Sequence, residues 1–410
     1  MRILFLCHRL PFPPKRGGKI RPFNMIRHLG RRHEVTVATV ARSGAELEEG
    51  QGLRQHCAAL HVGRIGPLAA WSRFARFAPT AYPSTFGYFY SPELEHTVQG
   101  LLRTVPFDAV LVHCSSMGPY VAEHAGCRKV MDFGDADSEK WFEYGRRALP
   151  PLGLGFRLEG AKVRRWERRL GERFDACSVI SPREREVLSA HVARPIEVIP
   201  NGVDLDYFSP AAGAPAPHPR RLIFTGNMSY KPNIDAVRHL VRDILPLVRR
   251  SVPEVELHIV GMDPTPAVRR LADGARVVVT GRVDDVRPYF DSATVAVAPL
   301  RIARGLQNKV LEAMAAGKVV IASSEAVAGM RVVDGEQLII ADTPERFASA
   351  ALEVIRDASL RESLEMRARF LVESEHDWKP LLQKLVELVE TVGGRENESG
   401  KSNSRAIANN

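Results

Sequence analysis

"TVAVAPLRIARGLQNKVLEAMAAGKVVIAS", residues 294–323, sets two short apolar runs on either side of a helix-like segment. The runs at 294–298 and 318–322 are continuous and rich in valine, so both read as strands covered on two faces. Between Gly305 and Gly317 the apolar residues Val310, Leu311 and Met314 fall at helical spacing, and one carboxylate, Glu312, stands among them. Strand, crossover helix and strand make a βαβ unit, which implies a parallel sheet.

Outward from this unit the same rhythm fills the chain. Further strands are expected at 221–225, 256–260, 276–279 and 337–340 in the C-terminal half. In the N-terminal half they are expected at 2–7, 34–40, 58–62, 108–113, 129–132, 176–180 and 196–199. Two such series imply an α/β protein with two doubly wound parallel-sheet domains. Their expected spans are 1–195 and 221–375, joined by a Pro- and Ala-rich linker over 196–220. A last apolar helix is expected over 376–393, followed by a disordered polar tail over 394–410.

Composition narrows the class. The 410 residues are 45% hydrophobic and 26% charged, which is globular and long enough for two domains. Five cysteines lie scattered without ligand spacing, as in a reduced cytoplasmic protein. No apolar run reaches the ~18–20 residues that a spanning helix needs. The net charge of +9 is uneven: residues 1–40 hold nine Lys/Arg against one acid, Glu34, and the stretches 71–77 and 162–174 mix arginine with aromatics. Such patches suit anionic lipid headgroups, phosphorylated substrates or nucleic acid, or are simply solvated helix faces. No RNA-binding motif is present, and nucleic acid is not an expected partner.

Several segments carry possible chemistry, each beside a plainer reading. In "PPKRGGKIRPFNMIRHL" (13–29), Gly17 and Gly18 would let the backbone approach a ligand before a helix starting near Arg21 or Pro22; a tight turn explains them equally. In "RLIFTGNMSYKPN" (221–233), Gly226 ends a strand, Asn227 and Lys231 lie in the following loop, and Asn233 is a candidate cap for a helix from Ile234. Lys231 could meet a phosphate or merely be solvated. A helix mouth at Gln307–Asn308 offers free N–H groups to an anion. Long helical side chains lean toward the N-terminus, so Glu312 could reach that mouth and accept a ribose diol; an i−3 pair with Lys309 is just as possible. "VMDFGDADSEKWFEY" (130–144) holds Asp132, Asp135 and Asp137. Asp135-Ala136-Asp137 matches a metal-binding DxD, yet these acids could bind acceptor hydroxyls, or Asp137 could cap a helix. His113 ends a strand, where catalytic and structural histidines both occur.

"IPNGVDLDYF" (199–208), "LEAMAAGKVVIAS" (311–323) and the two doubly wound halves together resemble the retaining glycosyltransferases of family 4, with the GT-B fold. "GNMSYKPN", "GLQNKVLEAMA" and "DFGDADSEKWFEY" are similar to the subgroup associated with exosortase/PEP-CTERM exopolysaccharide systems. The resemblance implies two Rossmann-like domains facing a cleft, with the C-terminal helix returning toward the N-terminal domain. The nucleotide sugar, UDP- or GDP-linked, would sit on the C-terminal domain, the acceptor on the N-terminal one, and no metal or other cofactor would be needed. It makes Glu312 the ribose ligand, which gives that lone carboxylate a purpose. It also places Gly17 and Gly18 near the donor phosphates, Arg282 and Val283 beside the base, and Arg304, Gly305, Leu306, Gln307 and Asn308 in the donor loop. Two positions depart from the family pattern. Arg304 stands where a first carboxylate contacts the donor sugar, and Asn227 replaces the arginine expected after Gly226. Lys231 or Lys309 must then neutralise the leaving diphosphate; Lys309 is preferred because it shares the helix mouth with Glu312.

The resulting expectation is a cytoplasmic, metal-independent glycosyltransferase acting on a glycan or lipid-linked acceptor in exopolysaccharide biosynthesis. Contact with an anionic membrane at the inner face of the plasma membrane is expected through the basic N-terminal surface. His113 and Asp135 would orient the acceptor. A GT-B-fold sugar-nucleotide epimerase or hydrolase, and a non-catalytic nucleotide binder, are the alternatives.

Overall fold

The computed structural model of the chain describes residues 1–14, 17–210, 218–303 and 306–394. The chain divides into two compact units: Met1–Pro200 together with the chain from Lys379 onward, and Asn201–Trp378. Among the described residues, the first unit holds strands β1 (Arg2–Cys7), β2 (Glu34–Ala41), β3 (Ala59–Arg64), β4 (Ala109–His113), β5 (Arg128–Gly134), β6 (Ala176–Val179) and β7 (Ile196–Val198). They form one parallel sheet in the order β3-β2-β1-β4-β5-β6-β7. The second unit holds β8 (Arg221–Thr225), β9 (Glu256–Val260), β10 (Val277–Gly281), β11 (Val295–Ala298), β12 (Val319–Ala322) and β13 (Ile339–Ile340). These are also parallel, in the order β10-β9-β8-β11-β12-β13.

The expected α/β doubly wound class is what the structure shows, and the reason is visible in the central strands. Ile3, Leu4, Phe5 and Leu6 of β1 are all fully buried, because helices cover both faces of the sheet. Each such side chain contributes about 1.5–3 kcal/mol. In both sheets the order reverses between two central strands, β1 and β4 in one, β8 and β11 in the other. The carboxyl ends of such strand pairs form the crevice where open α/β sheets take ligands.

The helix Trp378–Gly394 belongs with the first unit from Lys379 on. It buries Leu382, Leu385, Val386 and Val389, and its Glu390 meets Arg32 at 3.5 Å and His33 at 3.1 Å. Near its end, a Cβ on Gly393 would lie 3.3 Å from the Asp108 carbonyl.

Some element boundaries differ from expectation. β7 pairs with β6, so Ile196–Val198 completes the first sheet and is not part of a linker. The helix Gly17–Leu29 starts at the glycine pair, with Pro22 inside it. The helix Lys231–His239 begins two residues before Asn233, which is buried in its first turn instead of capping it. The helix after β5, Asp137–Arg147, is preceded by Ala136, so Asp137 is its first residue and not its cap. Residues 211–217 of the expected linker and 395–410 of the expected tail lie outside the described residues.

Candidate functional site

At the first reversal, strand register assembles a buried polar network. His113 of β4 is the Cα partner of Asp132 in β5, and Asp132 is the partner of Ser178 in β6. In-register neighbours project to the same face, so the three side chains meet. Asp132 Oδ2 lies 2.7 Å from His113 Nδ1, and Ser178 Oγ donates to Oδ1 at 2.8 Å. Arg21 from the Gly17–Leu29 helix closes a two-pronged pair on the same carboxylate, Nε to Oδ2 at 2.9 Å and Nη2 to Oδ1 at 2.7 Å. Its Nη1 donates to the Ile199 carbonyl at 2.9 Å. Burial pushes the Asp132 carboxyl up, but the charge and hydrogen bonds of Arg21, helped by His113, outweigh it and hold it well below the usual carboxylate range. An ionised Asp132 only accepts, so His113 Nδ1 donates the proton of this bond and Nε2 is turned away from the carboxylate.

Around His113 lie His8, after β1, and Cys114, a non-glycine residue with φ of 75°. One ligand atom from each of His8, His113 and Cys114 lies within 4.8 Å of the others. His8 is kept uncharged by burial and by Arg9. This imidazole and thiol set suits a soft ion, whereas a cation bridging a nucleotide diphosphate is hard and takes oxygen ligands. Asp135 is exposed in the loop after β5. Asp137 accepts from Ser115 Oγ at 2.6 Å, and burial raises its carboxyl. Buried Glu184 and Glu167 hold this loop by accepting from Ala136 N at 2.6 Å and Ser138 N at 2.9 Å. The DxD therefore spans a rigid loop in which one acid is exposed and the other bonded inward. Gly18 stands 3.7 Å from Arg9 Cδ, measured from an ideal Cβ, and Gly17 begins its helix.

At the second reversal the arrangement is different. Lys309, in the first turn of the helix Asn308–Ala315, does not pair with Glu312. Its ammonium instead donates to Asn233 Oδ1 and lies 4.3 Å from the centroid of the Phe224 ring. Asn233 Nδ2 donates to the Asn227 carbonyl at 2.9 Å, tying the loop after β8 to the mouth of the Asn308–Ala315 helix. Gly226 has φ of 153°, and a Cβ there would lie 2.7 Å from Asn233 Nδ2 and 3.3 Å from Lys309 Nζ. Only glycine fits. The Asn227 side chain accepts from Ser229 N at 2.8 Å and donates through Nδ2 to Asp263 Oδ2 at 3.3 Å, so both its ends are occupied. Lys231 is exposed.

Glu312, half-buried one turn further along, has no side-chain hydrogen bond or ion pair among the described residues. Burial raises its carboxyl to about 7, against the pull of Lys309. Burial likewise pushes the Lys309 ammonium down to about 7, against Glu312. Asn308 Oδ1 is buried and has no partner among the described residues. Gln307 precedes the helix, and Leu306 is buried. Arg301 Nε bonds Asp235 Oδ2 at 2.9 Å, anchoring the start of this loop to the Lys231–His239 helix. Arg282 is exposed and Val283 packs on the core of the second unit. Arg304 and Gly305 lie outside the described residues.

Five of the expected residues, Gly226, Asn227, Asn308, Lys309 and Glu312, thus gather at one helix mouth, while Lys231 is exposed. In the first unit His113 sits in a network whose cation, Arg21, carried no assigned role in the sequence reading, and whose centre, Asp132, stood there only as one of three acids that could bind acceptor hydroxyls. The signal for Asp132 was its place at the end of the strand beside His113.

Comparison with known proteins bears on the family and the fold. Residues 16–207 match the family described as Glycosyltransferase Family 4, and residues 219–357 match Glycosyl transferases group 1. The chain is 32% identical over 209 residues to a phosphatidyl-myo-inositol mannosyltransferase of Mycobacterium tuberculosis, covering 48% of this chain and 54% of that protein. It thus spans about half the length of such curated relatives. It is 26% identical over 411 residues, 92% of this chain and 96% of the other, to a GDP-mannose-dependent alpha-(1-6)-phosphatidylinositol monomannoside mannosyltransferase of Mycolicibacterium smegmatis. Among solved structures, sucrose-phosphate synthase from Thermosynechococcus elongatus matches with a TM-score of 0.73 at 17% identity, over 96% of this chain and all of the other. Anabaena HepE with UDP-glucose matches at 0.68 and 15%, over 95% of this chain and all of the other. These structural likenesses are of fold, and the fold is GT-B. With one family match over each half, the chain belongs to the group 1, family 4 glycosyltransferases.

Proposed function

We propose that the protein transfers a hexose, with retention, from a nucleoside diphosphate sugar to a lipid-linked acceptor. The observation that carries this is the mouth of the Asn308–Ala315 helix, where Lys309, Glu312 and the unpartnered Asn308 Oδ1 gather beside a glycine turn. Both ionisable groups are held near neutrality by burial, and an anionic, hydroxyl-bearing ligand would supply what each lacks. A diphosphate would meet the Lys309 ammonium and the positive helix end, and a ribose diol would donate to Glu312. The acceptor oxygen forms the new bond to the sugar carbon on the face from which the diphosphate oxygen leaves. The acceptor proton passes to that departing oxygen. Lys309 stabilises the charge that develops on it. In the first unit His113 Nε2, fixed by Asp132, accepts a hydrogen bond from a sugar or acceptor hydroxyl, and exposed Asp135 has the lesser claim.

GDP-mannose is the favoured donor because relatives are described as GDP-mannose-dependent, and a phosphatidylinositol-like lipid is the favoured acceptor class because their names carry it. A role in exopolysaccharide synthesis rests on the sequence resemblance alone. No described helix is long and apolar enough to cross a membrane, so contact with a lipid acceptor would be peripheral.

The test is a thermal-shift panel of GDP, UDP, ADP and CMP on wild type and Glu312→Ala. A nucleotide at about 100 times its Kd adds roughly 2.7 kcal/mol. GDP should raise the wild-type midpoint and leave that of the variant unmoved; no response to any nucleotide would overturn the donor site. Product analysis without acceptor then separates transfer from hydrolysis or epimerisation.

A further inference from the structure

Of the nine basic residues at 1–40 expected to face a membrane, seven are described, and four of those pair with acids of the first unit. Lys19 is buried and bonded to Glu46 at 3.0 Å, and Arg21 is spent on Asp132. Arg2 meets Glu34 and Arg32 meets Glu390, both at 3.5 Å. A different surface has the composition the N-terminus lacks.

The helices Asp137–Arg147 and Leu152–Arg173 form a hairpin. Of residues 146–158 at its apex, only Gly153 is buried. Four leucines stand out there: Leu149 is 84% exposed, Leu152 and Leu154 60%, and Leu158 57%. The apex is not slack. Trp141, Tyr144 and Phe156 pack beneath it with ring centroids 5.7–6.0 Å apart. The two helices approach so closely that a Cβ on Gly145 would lie 2.7 Å from Arg157 Cγ, and one on Gly153 2.5 Å from the Ala148 carbonyl. Four apolar side chains are thus held outward on a stiff support, at a cost in hydration that a soluble surface has no reason to bear.

Charge selects the occupant. Residues 144–173 carry nine Lys/Arg and three glutamates. Two of those glutamates, Glu159 and Glu167, are buried and accept from Thr85 and Ser138. Arg157, Arg165 and Arg168 have no ion pair among the described residues. An apolar apex with unpaired Arg157 upon it, and with Arg165 and Arg168 about 10–15 Å beyond Leu158 along the same helix, matches a bilayer surface with anionic headgroups, where leucines enter the acyl boundary and guanidinium groups take phosphates. Two copies of so positive a hairpin would repel each other, which disfavours self-association.

We propose that this hairpin apex docks the protein on an anionic lipid bilayer. The surface stands on its own exposure and charge; its purpose, delivery of a lipid-linked acceptor, rests on the transfer reading above. The 11-residue helix Asp137–Arg147 runs from the Ser115–Asp137 contact, beside His113 and Cys114, to the apex, a distance of about 16 Å.

The test is co-sedimentation of the full chain with phosphatidylcholine vesicles, with and without phosphatidylglycerol. Wild type should sediment with the anionic vesicles and be released by salt. Leu149→Gln/Leu152→Gln/Leu154→Gln and Arg157→Gln/Arg165→Gln/Arg168→Gln should each lower partitioning by about tenfold or more. Both should keep the wild-type melting midpoint and nucleotide response. Wild type that ignores anionic vesicles, or variants that sediment as well as wild type, would overturn the proposal. So would a wild-type dimer that the leucine variant dissociates, since the occupant would then be a second copy. If vesicles bind as stated but no sugar is transferred, the docking surface stands and the transfer reading falls.

Discussion

The two sheets reverse their strand order in the same way, yet the charges at the two reversals are in opposite conditions. Beside β4 and β5, Asp132 has Arg21, His113 and Ser178, and the protein supplies every partner it needs. Beside β8 and β11, Glu312 has no bonded partner among the described residues, and Lys309 has only the neutral Asn233 and a ring face. The first carboxyl is held below its usual range and the second is raised. A satisfied network stabilises the fold, whereas an unsatisfied one destabilises it until a ligand arrives. Under the proposed function, the contrast separates a site that orients from a site that binds.

The largest effect should come from breaking the satisfied side. Asp132→Ala leaves Arg21 buried without its counter-charge and should cost about 3–5 kcal/mol in urea unfolding. A loss below ~1 kcal/mol would erase the contrast. Because the folded carboxyl is depressed, its contribution is full above the ordinary value of about 4 and drains away as pH falls below it.

Next comes the cation of the binding side. Lys309→Ala should lower kcat by about 10²–10³, or ~2.7–4 kcal/mol of barrier, while exposed Lys231→Ala changes it little. Equal losses in the two variants would remove Lys309 from its assigned role.

Gly226→Ala sharpens the comparison through geometry. The new Cβ would press on Asn233 Nδ2 and Lys309 Nζ at a backbone angle that disfavours it. About 1–3 kcal/mol of stability should be lost, together with the nucleotide-induced rise in midpoint. A retained nucleotide response would show that the Asn233–Lys309 contact is dispensable.

The smallest and most diagnostic change has the opposite sign. Glu312→Gln should stabilise the unliganded protein by about 1–2 kcal/mol at pH 8, since the wild type must there ionise a half-buried carboxyl. The neutral form is favoured in the fold, so wild-type stability is present below the ordinary value of about 4.3 and lost as pH rises through about 7. The gap between variant and wild type should therefore open between those values. Identical pH profiles would refute an unsatisfied Glu312.

Legibility in the sequence follows the same division. Strands such as "RLIFT" and "AVLVH" are legible because burial on both faces demands continuous apolar runs. Glu312 and Lys309 are legible because one helix carries both charges among buried residues. Asp132 was hidden among three aspartates: only register, which sets it beside His113, distinguishes it, and the adjacent DxD is the more conspicuous pattern. Arg21 looked like one of nine surface cations, since a sequence does not show which guanidinium turns inward. Asn233 has the residue type and position of a helix cap, and the helix starts two residues sooner because Pro232 suits its first turn.

The helix Trp378–Gly394 has a consequence for biogenesis. Its leucines and valines close the core of a unit whose other elements end at Pro200, with the 178 residues of Asn201–Trp378 between them. At about 5–20 residues per second, the ribosome needs roughly 10–35 s to translate that interval. Throughout it, the nascent first sheet lacks its covering helix and exposes the apolar surface that Leu382, Leu385, Val386 and Val389 later bury. The second unit can therefore finish folding before the first does, and a chain cut short near Trp378 would carry an intact second unit on an open first one, a natural client for chaperones.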